Sequence, residues 1–243
     1  MIRLFVHREP EAAVAAAADW FCRKLVHPAA RAVMVAGGNT PLPLYAEVAR
    51  RQLNLRHLKV FALDEYVGVP PEDPRNCANL LRRTVVEAWG IPAANYQHFS
   101  TREAEAGRQV AEYEQRITEA GGLDVVILGL GRNGHLGFNE PGSDRDCPGG
   151  LMDLDPISVT ANREWFRGDH APSKGITVGI RTILAARAIL LLAFGDGKAG
   201  AVRAMIEQTP NAACPASWLQ GHPDTRAYVD EPAAALLKSR TAR

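Results

Sequence analysis

Four short stretches hold residues whose types and spacing suit the movement of protons on a charged small molecule. Asp64 and Glu65 stand side by side directly after the apolar run Lys59–Leu63. A carboxylate at the end of a buried strand is partly desolvated, which raises its proton affinity toward that of a general base. Alone, such a pair fits a capping or surface role better, and it gains weight from its company. His135 and Glu140 lie five residues apart in the glycine-rich stretch Gly129–Gly142, with Asn133 beside them. An imidazole in such a loop, next to Asn and Glu, is an acid/base candidate more than a packed core histidine.

The other two stretches suit an anion. In Gly37-Gly38-Asn39-Thr40-Pro41 the glycines allow close backbone approach, and a helix start offers unpaired N–H groups. An ordinary strand-to-helix turn explains this stretch equally well. Gly195-Asp196-Gly197-Lys198 puts a lysine at a helix start, where the helix dipole disfavours it unless an anion compensates. The candidate anion-binding residues are therefore Gly38, Asn39, Thr40 and Lys198. Gly129, Gly131 and Gly134 formally satisfy a dinucleotide fingerprint, but Gly137, Pro141 and Gly142 interrupt the helix that such a site needs. No nucleophilic serine elbow or metal-ligand spacing accompanies these loops. Proton transfer on a phosphorylated small molecule, such as an aldose–ketose isomerisation, fits them best.

Strand-length apolar runs precede or follow these loops: Ala32–Ala36, Lys59–Leu63, Val125–Leu130, Ile176–Val178, Ala188–Phe194 and Arg226–Val229. Rich in Val, Ile and Leu, they suit buried parallel strands. Thr40-Pro41 reads as an N-cap followed by proline at the first helical position. Ser100-Thr101-Arg102-Glu103 reads as a capping box opening a charged helix that stops at Gly121-Gly122. The expected fold is α/β: a single-domain, doubly wound, mainly parallel sheet with helices on both faces, Rossmann-like and three-layered, spanning 1–243. Ligands then lie beyond the carboxyl ends of the strands, where the four loops fall.

Composition narrows the classes. The chain has 243 residues, 28 Lys and Arg against 27 Asp and Glu, and a formal charge of +1, so no global pull toward nucleic acid or an anionic membrane exists. No apolar run approaches the roughly 18 residues of a membrane span, and no export signal opens the chain. Cys22, Cys77, Cys147 and Cys214 are scattered, which suits reduced packing residues, and the seven histidines show no paired spacing for a metal. A cytoplasmic protein is expected.

At these same residues, from about Val33 to Pro232, the sequence resembles the glucosamine-6-phosphate deaminase family, within the superfamily that also holds 6-phosphogluconolactonase. Leu63-Asp64-Glu65-Tyr66-Val67-Gly68 and the loop ending Phe138-Asn139-Glu140-Pro141-Gly142 carry the likeness, supported by Ile176–Ile180 and Gly195–Ala199. The Asn-Glu-Pro ending resembles the deaminases, not the lactonases. The resemblance implies a reaction without cofactor or metal on a sugar phosphate. His135 would assist ring opening, with Glu140 and Asn133 orienting it. Asp64 would carry a proton from C2 to C1, and Lys198 with Gly38-Asn39-Thr40 would hold the 6-phosphate.

The sequence departs from the family pattern in places. Asn133 replaces the aspartate of the better-known pattern, and Gly37-Gly38 replaces a Thr-Gly turn. The lid, about 150–174, normally supplies an arginine to the phosphate. Ungapped register puts Glu164 there, so Arg163 or Lys174 is expected to take over, Arg163 first. Gly150 and Met152 fall where some relatives carry basic activator-site residues, so allosteric control is not expected. Galactosamine-6-phosphate is the nearest alternative substrate. A lactonase or a non-catalytic sugar-phosphate sensor ranks lower, since a regulator would need a DNA-binding module. A homo-oligomer is compatible with the sequence but not read from it.

Overall fold

The computed structural model describes residues 1–238. The last five residues of the expected 1–243 unit lie outside the described part. Ten strands occur among the described residues: β1 (Arg3–His7), β2 (Ala32–Val35), β3 (Lys59–Ala62), β4 (Asp64–Tyr66), β5 (Tyr96–Gln97), β6 (Val125–Gly129), β7 (Gly149–Asp153), β8 (Lys174–Val178), β9 (Ile189–Ala193) and β10 (Thr225–Asp230). The α-helices are α1 (Pro10–Leu25), α2 (Leu42–Arg50), α3 (Cys77–Leu81), α4 (Ala106–Glu119), α5 (Pro156–Trp165), α6 (Ile180–Leu184) and α7 (Ala199–Glu207).

Seven strands form one sheet in the order β1-β10-β9-β6-β2-β3-β5, and every pairing in it is parallel. Such strands must be apolar on both sides, because helices cover both faces. Accordingly, Ala32 and Met34 of β2 enter one core while Val33 and Val35 enter the other. In β9, Ile189 and Leu191 divide from Leu190 and Leu192 in the same way. Helices α1 and α2 contribute to the second core, and α4, α6 and α7 to the first. The chain runs from β2 outward through β3 to β5, then returns to lay β6 on the other flank of β2. That reversal between β2 and β6 is a topological switch point, where the loops after both strands part and leave a crevice.

Ile176–Val178, expected among the parallel strands, belongs elsewhere. It lies in β8, the middle of a second sheet ordered β4-β8-β7 with antiparallel pairings. Its apolar run is buried because this small sheet packs on the main core through Ile176 and Val178.

Two expected helix starts also differ. Helix α2 begins at Leu42 with Pro43 in its first turn; no side chain caps it, and Pro41 is the flanking residue. Thr40 is thus left to the crevice instead of the helix. At α4 the Ser100 hydroxyl accepts from the Arg102 N–H, while the Ser100 N–H donates to Gln109 Oε1 at 2.6 Å. Glu103 instead pairs with Lys174 at 2.6 Å, and a short 3-10 turn at Glu103–Glu105 precedes the helix. The stop at Gly121-Gly122 is as expected: both have positive φ, and Gly122 N–H reaches back to Ile117 O at 2.9 Å.

Candidate active site

The crevice at the switch point encloses about 200 Å³ and collects residues from all four loops singled out in the sequence. Gly38, Asn39 and Thr40 line it from the turn after β2, Asp64 from β4, His135 from the loop after β6, and Lys198 from the head of α7. A roomier hollow between α4 and α6 contains only Arg181 and Glu114 as charged groups, and they pair at 3.3 Å.

Asp64 opens β4, where its pairing with Thr177 of β8 fixes the backbone. Its carboxylate is buried, and Oδ1 has no hydrogen-bond partner among the described residues. Burial raises its pKa from 3.8 to about 6, against the opposing hydrogen bond of the Cys77 thiol and the charge of His135. An ionisable carboxylate poised near neutrality with a free oxygen is suited to take and return a proton. Glu65, its neighbour, points away from the crevice because strand side chains alternate. It accepts N–H bonds from Tyr66, Cys77 and Ala78 and so caps α3. Burial lifts Glu65 to about 7 in spite of those bonds.

His135 sits on a tight turn in which Gly131 N–H donates to His135 O at 3.1 Å. A side chain at 131 would meet the imidazole at 2.5 Å, so glycine there makes room for the ring. No helix forms between 130 and 148, in line with rejecting the dinucleotide reading. His135 Nδ1 lies 3.2 Å from Glu140 Oε2. Asn133 acts on that pair indirectly: its Nδ2 donates to Glu140 Oε2 at 2.8 Å, and its Oδ1 accepts from the backbone N–H of His135 at 3.2 Å. It therefore orients the carboxylate and the turn, not the imidazole itself. Burial alone would raise Glu140, but His135, Ser158 and Asn133 together outweigh it and hold the carboxyl below the usual glutamate value. The Asn-Glu-Pro ending has a structural logic too. Buried Asn139 donates to Leu136 O and Val178 O, which ties the loop to β8 and aims Glu140 inward.

Lys198 donates to Leu130 O at 2.6 Å, and burial followed by the charge of Arg132 lowers its pKa. Arg163, expected at the phosphate, is exposed on α5 and does not line the crevice. The helix presents Ile157, Ser158, Ala161 and Asn162 there, and the next residue turns outward with the helical rotation. Lys174 is likewise held outside by Glu103.

Several lining residues escaped the sequence reading, Ser158, Cys77 and Arg132 among them. Ser158 places its hydroxyl 3.2 Å from His135 Nδ1, although it lies on α5, 23 residues away. Cys77 packs against Gly37 and beside Asp64, its thiol pushed well up by burial and so kept neutral. Arg132 lies inside the glycine-rich stretch itself. Only Arg132 had a visible signal, a cation between two motif glycines. Among the described residues, no cluster of three or more His, Cys, Asp or Glu is arranged to hold a metal ion.

A doubly wound α/β sheet with a carboxylate, an imidazole and a lysine meeting at its switch point defines a class of small-molecule acid–base catalyst. Comparison with known proteins narrows that class. The family model for glucosamine-6-phosphate isomerases/6-phosphogluconolactonase matches residues 8–228, and the chain belongs to this family. A glucosamine-6-phosphate deaminase of Marinomonas sp. (strain MWYL1) is 40% identical over 211 residues, covering 84% of this chain and 79% of that protein. One of Hahella chejuensis is 36% identical over 242 residues, covering 98% and 92%. A solved monomeric glucosamine-6-phosphate deaminase superposes with a TM-score of 0.92 at 29% identity, covering 97% of this chain and all of that one. The 6-phosphogluconolactonase of Trypanosoma brucei shares the fold, with a TM-score of 0.79 at 23% identity.

Proposed function

We propose that the protein is an amino-sugar-6-phosphate deaminase that converts glucosamine-6-phosphate and water into fructose-6-phosphate and ammonia. His135 moves a proton from the anomeric hydroxyl to the ring oxygen and opens the pyranose. Glu140 stabilises the imidazolium that forms, because a carboxylate at Nδ1 favours the charged ring. Asp64 then removes the proton from C2, and the electron pair shifts to give an enolamine. The same carboxyl returns the proton to C1, leaving an imine at C2. Water adds to C2 and ammonia departs, which completes the atom balance. Lys198 and the Gly38-Asn39-Thr40 turn hold the phosphate, so binding energy remote from C1 and C2 aligns the open chain on Asp64.

The observation that carries this reading is Asp64: a buried carboxylate with an unpartnered oxygen, in the crevice that His135 also lines. In this reading the protein forms one domain in which residues 150–174 act as the lid. No described helix is long and apolar enough to cross a membrane.

The test is release of ammonia and fructose-6-phosphate from glucosamine-6-phosphate, with galactosamine-6-phosphate in parallel. Equal molar release of both products from the gluco sugar is expected. Release only from the galacto sugar would keep the reaction and replace the substrate, and release from neither would overturn the proposal.

A further inference from the structure

The phosphate site, as read above, holds one cation from α7, and the covering helix adds none. Arg163 and Glu164 both face solvent, and α5 meets the crevice only with Ile157, Ser158, Ala161 and Asn162. Another cation nevertheless lines the crevice, Arg132. It stands two residues after Leu130, whose carbonyl fixes the Lys198 ammonium. Its Nε lies 3.7 Å from where a Cβ on Gly197 would be, so the guanidinium lies along the turn that starts α7. Among the described residues Arg132 makes no ion pair and its side chain no hydrogen bond, so its guanidinium donors are free at the crevice. Two cations are therefore held near one another at the head of a nine-residue helix, and among the described residues neither forms an ion pair, although Asp196 opens the same turn. Arg132 is exposed, so water screens part of their repulsion, and an anion bound between the two would relieve the rest.

We propose that Arg132 is the guanidinium that binds the substrate's 6-phosphate, supplying with Lys198 the charge that the covering segment does not bring. This rests on the amino-sugar-phosphate reading above. A guanidinium presents a planar fork that can take two phosphate oxygens at once, whereas an ammonium acts as a point charge. The consequence is mechanical as well as electrostatic. Arg132 belongs to the turn closed by Gly131 N–H to His135 O and by Gly134 N–H to Gly131 O. Phosphate held by Arg132 therefore steadies the turn that carries the imidazole. Binding at C6 and acid–base chemistry at C1 then share one loop.

The experiment compares Arg132→Ala, Arg132→Lys and Arg163→Ala in the full chain. It uses titration with inorganic phosphate and steady-state kinetics on phosphorylated and unphosphorylated amino sugar. Arg132→Ala should weaken phosphate at least tenfold and lower kcat/KM for the phosphorylated sugar by about 30- to 100-fold, mostly through KM, as expected for a charge-assisted contact. The preference for phosphorylated over unphosphorylated sugar should shrink by the same factor. Arg132→Lys should recover part of both, which a general loss of structure would not allow. Phosphate affinity within twofold of the parent in Arg132→Ala, or a tenfold loss in Arg163→Ala instead, would overturn the proposal. If the parent released no ammonia while Arg132→Ala still weakened phosphate, the anion site would stand and the deaminase reading would fall.

Discussion

In the proposed reaction Asp64 is the residue that carries the proton, and its burial carries a cost that can be measured. A carboxyl raised from 3.8 to about 6 holds its proton more tightly in the folded protein than in the unfolded chain. Folding stability is therefore lost as pH rises from about 4 to about 6, by up to about 3 kcal/mol. Asp64→Asn should remove that loss, so the variant should melt higher than the parent at pH 7, the difference shrinking toward zero by pH 4. A variant that melts lower at pH 7 would contradict the burial cost. For turnover the same carboxyl must be ionised, so kcat/KM should fall as pH drops below about 6. Glu140→Gln keeps a hydrogen-bonding group beside Nδ1 but removes the charge. Ring opening should slow by about 10- to 100-fold, and a substrate presented in the open form should lose less than the cyclic one. Equal losses on both would separate Glu140 from ring opening. Asp64, His135, Glu140 and Lys198 stood out in the sequence as candidates because each follows a strand within a glycine-bearing motif. It did not show Ser158, since a serine on a helix 23 residues from His135 meets the ring only through tertiary packing.

At the scale of elements, the position of α5 over the crevice rests on what lies beneath it. Tyr66 of β4 packs on Phe138 of the glycine-rich loop and on Phe166 just after α5, with ring centroids 5.1 Å apart in both pairs. Gly175 leaves the space that Phe138 fills, since a Cβ there would collide with the ring. Arg75 then straps the end of α5: it donates to Phe166 O at 2.8 Å, pairs with Asp73 and Asp169 at 2.7 Å, and its own carbonyl accepts from Trp165 Nε1. Hydrogen bonding from Arg75 holds Asp73 down at about 2, so its carboxylate stays charged until pH nears 2, and the stability it contributes is lost as pH falls from about 4 toward 2. Arg75→Ala should free this end of α5, raising KM for the sugar phosphate by about 3- to 10-fold and exposing residues 150–174 to protease. Unchanged proteolysis would show that the aromatic cluster suffices alone. These elements were the least legible in the sequence. β4 has three residues and β7 begins with two glycines, so neither shows a strand period; their register comes from β8, far along the chain. The antiparallel placement of Ile176–Val178 was hidden for the same reason, because a doubly buried run has no alternation to reveal its partners.

Across the whole molecule, local hydrophobicity located five of the seven strands of the main sheet, because each holds a largely apolar run. The edge strand β1, partly exposed, and the two-residue β5 lack that signal. What the sheet contributes to function is its one reversal of direction between β2 and β6. There the glycine turn after β2 and the glycine-rich loop after β6 line one crevice, while the small sheet brings Asp64 in from the side. The central claim is that a single carboxylate carries the C2 proton to C1 inside this crevice. Its most direct test follows glucosamine-6-phosphate labelled with deuterium at C2. With the parent, deuterium should appear in part at C1 of the fructose-6-phosphate formed alongside ammonia, and Asp64→Asn should bind the sugar phosphate yet yield neither label transfer nor ammonia. Ammonia release by Asp64→Asn at the parent's rate would contradict the account.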